Sequence, residues 1–157
     1  MTDNENLALV ADIGGTNARF ALADIGSGMP RLYRQETLPT ADYASLPHAA
    51  EAYLDKHKMK PAMASFAVAC PVSGDEIRLT NRAWAFSQRE LQASLGLDHQ
   101  LVINDFGAAA LATLAIGDGD RVILHGTPDS QRKGPITVIG PGTGLGVALL
   151  VGDDRRG

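Results

Sequence analysis

Cysteine is all but missing: among 157 residues only Cys70 carries a thiol. That excludes an intramolecular disulfide and any zinc-type Cys spacing, and makes a reducing compartment, the cytoplasm, the expected location. Clustered basic charge is missing as well. The 14 Lys and Arg are scattered and outnumbered by 18 Asp and Glu, for a net charge of -4. No basic face is available to release counterions from a phosphate backbone, so a nucleic-acid partner is not expected. The opening MTDNENLALVADIGG lacks a basic n-region and its apolar run breaks at Asp12. Neither a signal peptide nor a membrane span is therefore expected. His48, His57, His99 and His125 have no metal-ligand spacing.

Apolar residues make up 45% of the chain and charged residues 20%, the composition of a packed globular protein. The length suits one lobe, or one and a half. Residues 7–13 and 18–24 are short apolar runs separated by Gly14-Gly15-Thr16-Asn17, which predicts a β-hairpin, with a third strand over 31–38. Apolar residues at helical spacing predict an amphipathic helix over 42–58, ended by Pro61, and then a buried strand over 64–70. Ser87 and Glu90 form a capping box opening a helix to about Leu95. A strand at 101–103 leads into an Ala-rich helix from Asp105 to about Ile116. Residues 136–153 repeat the run, Gly/Thr turn, run pattern of residues 7–24, which implies two related lobes that each open with a hairpin.

The two turns are candidate phosphate sites. In Asp12-Ile13-Gly14-Gly15-Thr16-Asn17, successive glycines allow backbone N–H groups to approach an anion, and Thr16 and Asn17 can donate further bonds. Asp12 is suited to orient the water shell of a Mg²⁺ that accompanies ATP. Gly and Asn equally dominate simple hairpin turns, so that alternative stands. Gly140-Pro141-Gly142-Thr143-Gly144-Leu145-Gly146 is not a dinucleotide fingerprint, since Leu145 stands where a glycine is needed, and it lacks the Gly-Lys-Ser/Thr of a P-loop. Paired, the two turns could clamp a polyphosphate. Asp105, between a strand and a helix, can accept a proton from a sugar hydroxyl attacking phosphorus, or can merely cap the helix. Thr80-Asn81 with Trp84 to Ser87 could line a sugar pocket or pack in the core.

In order and approximate spacing, residues 12–17, Ala69-Cys70-Pro71, Thr80-Asn81 with Trp84 and Phe86-Ser87, Ile103-Asn104-Asp105-Phe106, and 140–146 resemble the bacterial glucokinases. The resemblance implies an α/β actin-like ATPase (ribonuclease H-like) lobe over 1–115, with a mixed sheet flanked by helices. Residues 116–157 would contribute the opening β-hairpin of a second lobe. It implies phosphorylation of glucose at the 6-hydroxyl by ATP with Mg²⁺. Asp105 would be the base, Asn104, Asn81 and Gly144 would lie beside the sugar, and Asp12, Gly14, Gly15, Thr16, Asn17, Gly142, Thr143 and Gly144 would attend the phosphates. A homodimer is an open expectation. Gly107 departs from the family, where Thr is expected, and the family's following Gly-rich segment with a Glu and a His lies outside these 157 residues. The chain alone is therefore expected to be weakly active or inactive. A sugar-responsive regulator of the same fold is the competing reading, set against the absence of room for a helix-turn-helix before Leu7.

Overall fold

The computed structural model describes residues 6–26, 28–79, 84–126, 134–141 and 145–152. Its framework is a five-stranded sheet in the order β3 (Arg31–Pro39), β2 (Asn17–Asp24), β1 (Leu7–Ile13), β4 (Met63–Val68) and β7 (His99–Asn104). Strands β1 (Leu7–Ile13), β2 (Asn17–Asp24) and β3 (Arg31–Pro39) form an antiparallel meander. Helix α1 (Leu46–His57) precedes β4 (Met63–Val68), which lies parallel to β1. The small hairpin β5 (Glu76–Arg78) and β6 (Ala85–Ser87) and helix α2 (Gln88–Leu95) then lead to β7 (His99–Asn104), parallel to β4. Parallel neighbours require such crossovers, whereas the meander needs only tight turns.

Alternation sets the sheet. Leu7, Leu9 and Ile13 of β1, Phe20 and Leu22 of β2, and Phe66 and Val68 of β4 are buried, with Tyr53 of α1 stacked on Phe20 at a ring separation of 5.3 Å. Leu46, Ala49, Ala50, Tyr53 and Leu54 turn one helical face inward, the i, i+3, i+4 stripe of the sequence. The helix starts at Leu46 and not at residue 42, because Thr40–Asp42 closes a 3₁₀ turn and Ser45 is the extended residue before the first turn. It also stops short of Pro61: Lys58 adopts φ 53°, and Met59 N–H donates to the Leu54 carbonyl, an αL termination.

At α2, Ser87 Oγ accepts the Glu90 N–H at 3.2 Å as the capping pattern predicts. A second partner supports it. Ser87 Oγ donates to Asp75 Oδ2 at 2.7 Å, and Asp75 Oδ1 accepts the Arg89 N–H at 3.1 Å, so two side chains serve the helix start. Gly96 at φ 64° ends it.

The chain divides into two compact units, Met1–Asp105 and Phe106–Gly157. Helix α3 (Asp105–Ala112), which begins at the last residue of the first unit, ends four residues before Ile116. Thr113 Oγ1 and N–H both donate to the Ala110 carbonyl, and the following N–H groups of Leu114 and Ala115 reach back only three residues, tightening the chain out of α geometry. Strands β8 (Ile136–Pro141) and β9 (Leu145–Leu150) pair as an antiparallel hairpin, matching the repeat seen in the sequence. Among the described residues no helix is long and apolar enough to cross a membrane.

Candidate functional site

The three parallel strands end together. Ile13 of β1 pairs with Val68 of β4, and Val68 with Asn104 of β7, so the carboxyl ends of β1, β4 and β7 share one edge of the sheet. Open α/β sheets hold ligands at this edge, where strand ends release loops whose backbone groups are not consumed by the ladder. The Gly14–Asn17 turn leaves β1 there, and Asn104-Asp105 leaves β7. One strand, β4, separates them, a distance of two interstrand steps or roughly 10 Å.

The first turn is tightly held. Gly14 N–H donates to the Asn17 carbonyl at 2.9 Å. Thr40, fully buried at 0% exposure, supports the tip from below: its Oγ1 donates to the Gly15 carbonyl and its N–H to the Thr16 carbonyl, each at 2.9 Å. Thr16 itself is exposed. No local spacing in the sequence marks Thr40, because it lies 25 residues from Gly15 and reaches the turn only through β2–β3 pairing.

Asp12 sits opposite Arg19 in the hairpin register, and Arg19 Nη1 donates to Asp12 Oδ2 at 2.7 Å. The two side chains are 51% and 63% exposed, so the pair is solvent-screened and weak. Arg19 is a second contact that the motif alone does not reveal.

Between the two candidate segments lies Ala69-Cys70. Ala69 N–H continues the β1 ladder by donating to the Ile13 carbonyl at 3.0 Å, and Asn104 Nδ2 donates to the Cys70 carbonyl at 3.2 Å. That bond fixes the Asn104 amide. Asn104 and Asp105 are both partly exposed. Burial pushes the Cys70 thiol up, and the charge of Asp105 adds to the shift. The thiol is therefore held protonated and unreactive.

Trp84 and Phe86 belong to the core, 3% and 6% exposed, with Trp84 Nε1 donating to the Tyr43 carbonyl at 3.0 Å. Burial of both rings, with the indole N–H spent on backbone, assigns Trp84 and Phe86 themselves to packing. Thr80 and Asn81, and Gly142, Thr143 and Gly144 of the second turn, lie outside the described residues.

Within the second unit, the arms of that turn are described. Gly140 and Gly146 face one another across β8 and β9, and the ring of Phe106 rests on this pair. A Cβ on Gly140 would lie 2.7 Å from Phe106 Cζ, and one on Gly146 would overlap the ring. Both glycines are there for close approach.

A family model described as Glucokinase matches residues 9–157. The chain belongs to the glucokinase family. Glucokinases of Cronobacter sakazakii and Yersinia pestis are each 44% identical over 149 residues, 95% of this chain, but the alignments take in 46% and 45% of those proteins. The chain thus spans about half the length of the curated relatives it matches. Among solved structures, the glucokinase from an Antarctic psychrotroph superposes with a TM-score of 0.85 at 38% identity, covering 96% of this chain and 48% of that one. A ROK family glucokinase from Streptomyces griseus, in complex with glucose and AMPPNP, matches at TM-score 0.66 and 22% identity over 96% of this chain and 46% of that one. The latter likeness is one of fold. The 3-2-1-4-7 sheet, with its antiparallel meander and parallel partners, is the actin-like ATPase (ribonuclease H-like) arrangement.

Proposed function

We propose that this chain carries the sugar-activating half of an ATP-dependent glucokinase, which transfers a phosphoryl group to the 6-hydroxyl of glucose. The single observation that supports this reading is the shared sheet edge: a glycine-bearing turn on β1 and a partly exposed aspartate at the end of β7, one strand apart. Asp105 accepts the proton of the attacking hydroxyl, which makes that oxygen a better nucleophile as it approaches phosphorus. The fixed Asn104 amide orients sugar hydroxyls. Backbone N–H groups of residues 15–17 donate to phosphate oxygens, and Gly142, Thr143 and Gly144 are the proposed phosphate contacts of the second turn. Gly144 and Asn81 are further proposed sugar contacts.

The donor set also suits a hydrated Mg²⁺. Magnesium keeps several waters and binds through one or two carboxylates plus substrate phosphates. Asp12 offers an exposed carboxylate beside the turn, and among the described residues no three His, Cys, Asp or Glu side chains gather into a metal-binding group. Asp12 would meet the hydrated ion in place of its weak pair with Arg19, and nucleotide oxygens would complete the shell. When bound, the ion would neutralise phosphate charge. A lone, buried Cys70 is in keeping with the cytoplasm, and phosphorylation of glucose would place the reaction at the start of glycolysis.

The test is formation of glucose 6-phosphate from glucose and Mg·ATP, followed in a coupled dehydrogenase assay. Asp105→Asn should lower turnover by about 10²- to 10⁴-fold, with the far-ultraviolet circular dichroism unchanged. Full activity in that variant would remove Asp105 as the base. The competing reading is a sugar-binding protein of the same fold without turnover: calorimetry would then register glucose while no glucose 6-phosphate forms.

A further inference from the structure

Thr40 is buried completely, yet all its donor capacity is directed at the exposed turn of β1–β2. Its hydroxyl takes the Gly15 carbonyl and its N–H takes the Thr16 carbonyl. In a trans, planar peptide the carbonyl and the next residue's N–H point in opposite directions. Holding the Gly15 and Thr16 carbonyls toward Thr40 therefore turns the N–H groups of Thr16 and Asn17 away from Thr40. A glycine-rich turn is free to flip these peptide planes, and each flip would replace a donor by an acceptor that repels phosphate.

We propose that Thr40 is a positioning residue for nucleotide phosphate: a buried strut that locks the peptide planes of residues 15–17 with their N–H groups presented as an anion-binding nest. This rests on the reading of that turn as a phosphate site. The arrangement preorganises the donors before ligand arrives, so binding does not have to pay for ordering them. Thr40 touches no ligand; it acts through Gly15 and Thr16. Pro39, which pairs with Asn17 and starts the 3₁₀ turn, places Thr40 under the tip.

Two substitutions separate strut from packing. Thr40→Val keeps the branched shape and the N–H but loses the bond to Gly15, whereas Thr40→Ser keeps the hydroxyl and loses a buried methyl. The probe is Mg·AMPPNP, titrated into the ¹⁵N-labelled chain while the amide resonances of residues 14–17 are followed. Thr40→Val should weaken binding about five- to tenfold, the equivalent of one hydrogen bond, and Thr40→Ser should bind within about twofold of the parent. The melting temperatures should run in the opposite sense, with Thr40→Ser the less stable if the lost methyl dominates. Unchanged affinity in Thr40→Val, or equal losses in both variants, overturns the proposal. If the parent chain gives no AMPPNP-dependent shifts at 14–17, the phosphate reading fails and the positioning role falls with it. A through-bond coupling from the Thr40 N–H to the Thr16 carbonyl, measured without ligand, would in that case still report the strut and show which of the two ideas had failed.

Discussion

Replacing Gly146 by alanine tests the seat of Phe106 directly. The added methyl would occupy space already filled by the ring, and its cross-strand neighbour Gly140 leaves no more room on the same face, since a Cβ there would be 2.7 Å from Cζ. Overpacking of this kind forces side chains off their rotamers or moves backbone, at a cost of about 1–3 kcal/mol. For a chain of this size that corresponds to a fall in melting temperature of roughly 2–12 °C, taking about 2–4 °C per kcal/mol. Thermal and urea unfolding would be measured in a double-mutant cycle with Phe106→Ala. Removing the ring makes room for the methyl, so Gly146→Ala should cost markedly less in the Phe106→Ala background, a coupling of about 0.5–3 kcal/mol. Equal cost in both backgrounds would refute the reasoning, for it would mean that the glycine serves the strand and not the ring.

Tyr53 provides a probe at alkaline pH. Its hydroxyl donates to the Arg34 carbonyl at 2.8 Å, and burial, reinforced by the charge of Glu36, pushes its pKa up to about 12. A raised folded value means that the neutral phenol stabilises the fold below pH 10 and that this contribution disappears as pH climbs through 12. Tyr53→Phe should cost about 0.5–1.5 kcal/mol at neutral pH and flatten the alkaline decline in a pH series of urea melts. Ser87→Ala should cost about 1 kcal/mol by loss of the α2 cap, read in the same melts. At acid pH the sign reverses: the Ser87 hydroxyl holds the Asp75 carboxyl below its usual range, so this stabilisation is present above about pH 4 and fades as pH falls further. The Ser87→Ala variant should show a shallower acid limb, and an identical one would separate Asp75 from Ser87.

Local patterns carried much of the fold. The alternation in residues 7–13 and the glycine turn after it specify a hairpin because side chains alternate faces and only small residues fit the bend. The α1 stripe is legible for the same reason, although its start is set by the 3₁₀ turn at Thr40–Asp42 and its end by Lys58 in αL geometry, neither of which periodicity encodes. Likewise, Ser87 announces the start of α2, while Asp75, twelve residues earlier, completes that cap only because the β5–β6 hairpin returns the chain.

The candidate site divides along the same line. Asp105, Asn104 and the Gly14–Asn17 turn could be named from the sequence, since each is a short motif whose chemistry is local. Their meeting on one sheet edge is a property of strand order, decided by which apolar faces bury together. Thr40 under the turn, Arg19 on Asp12 and Phe106 on its glycine pair are tertiary choices of the same sort. A sequence determines which groups a residue can donate or accept with; long-range packing determines which partner is within reach, because a contact across tens of residues exists only once the intervening chain has folded back.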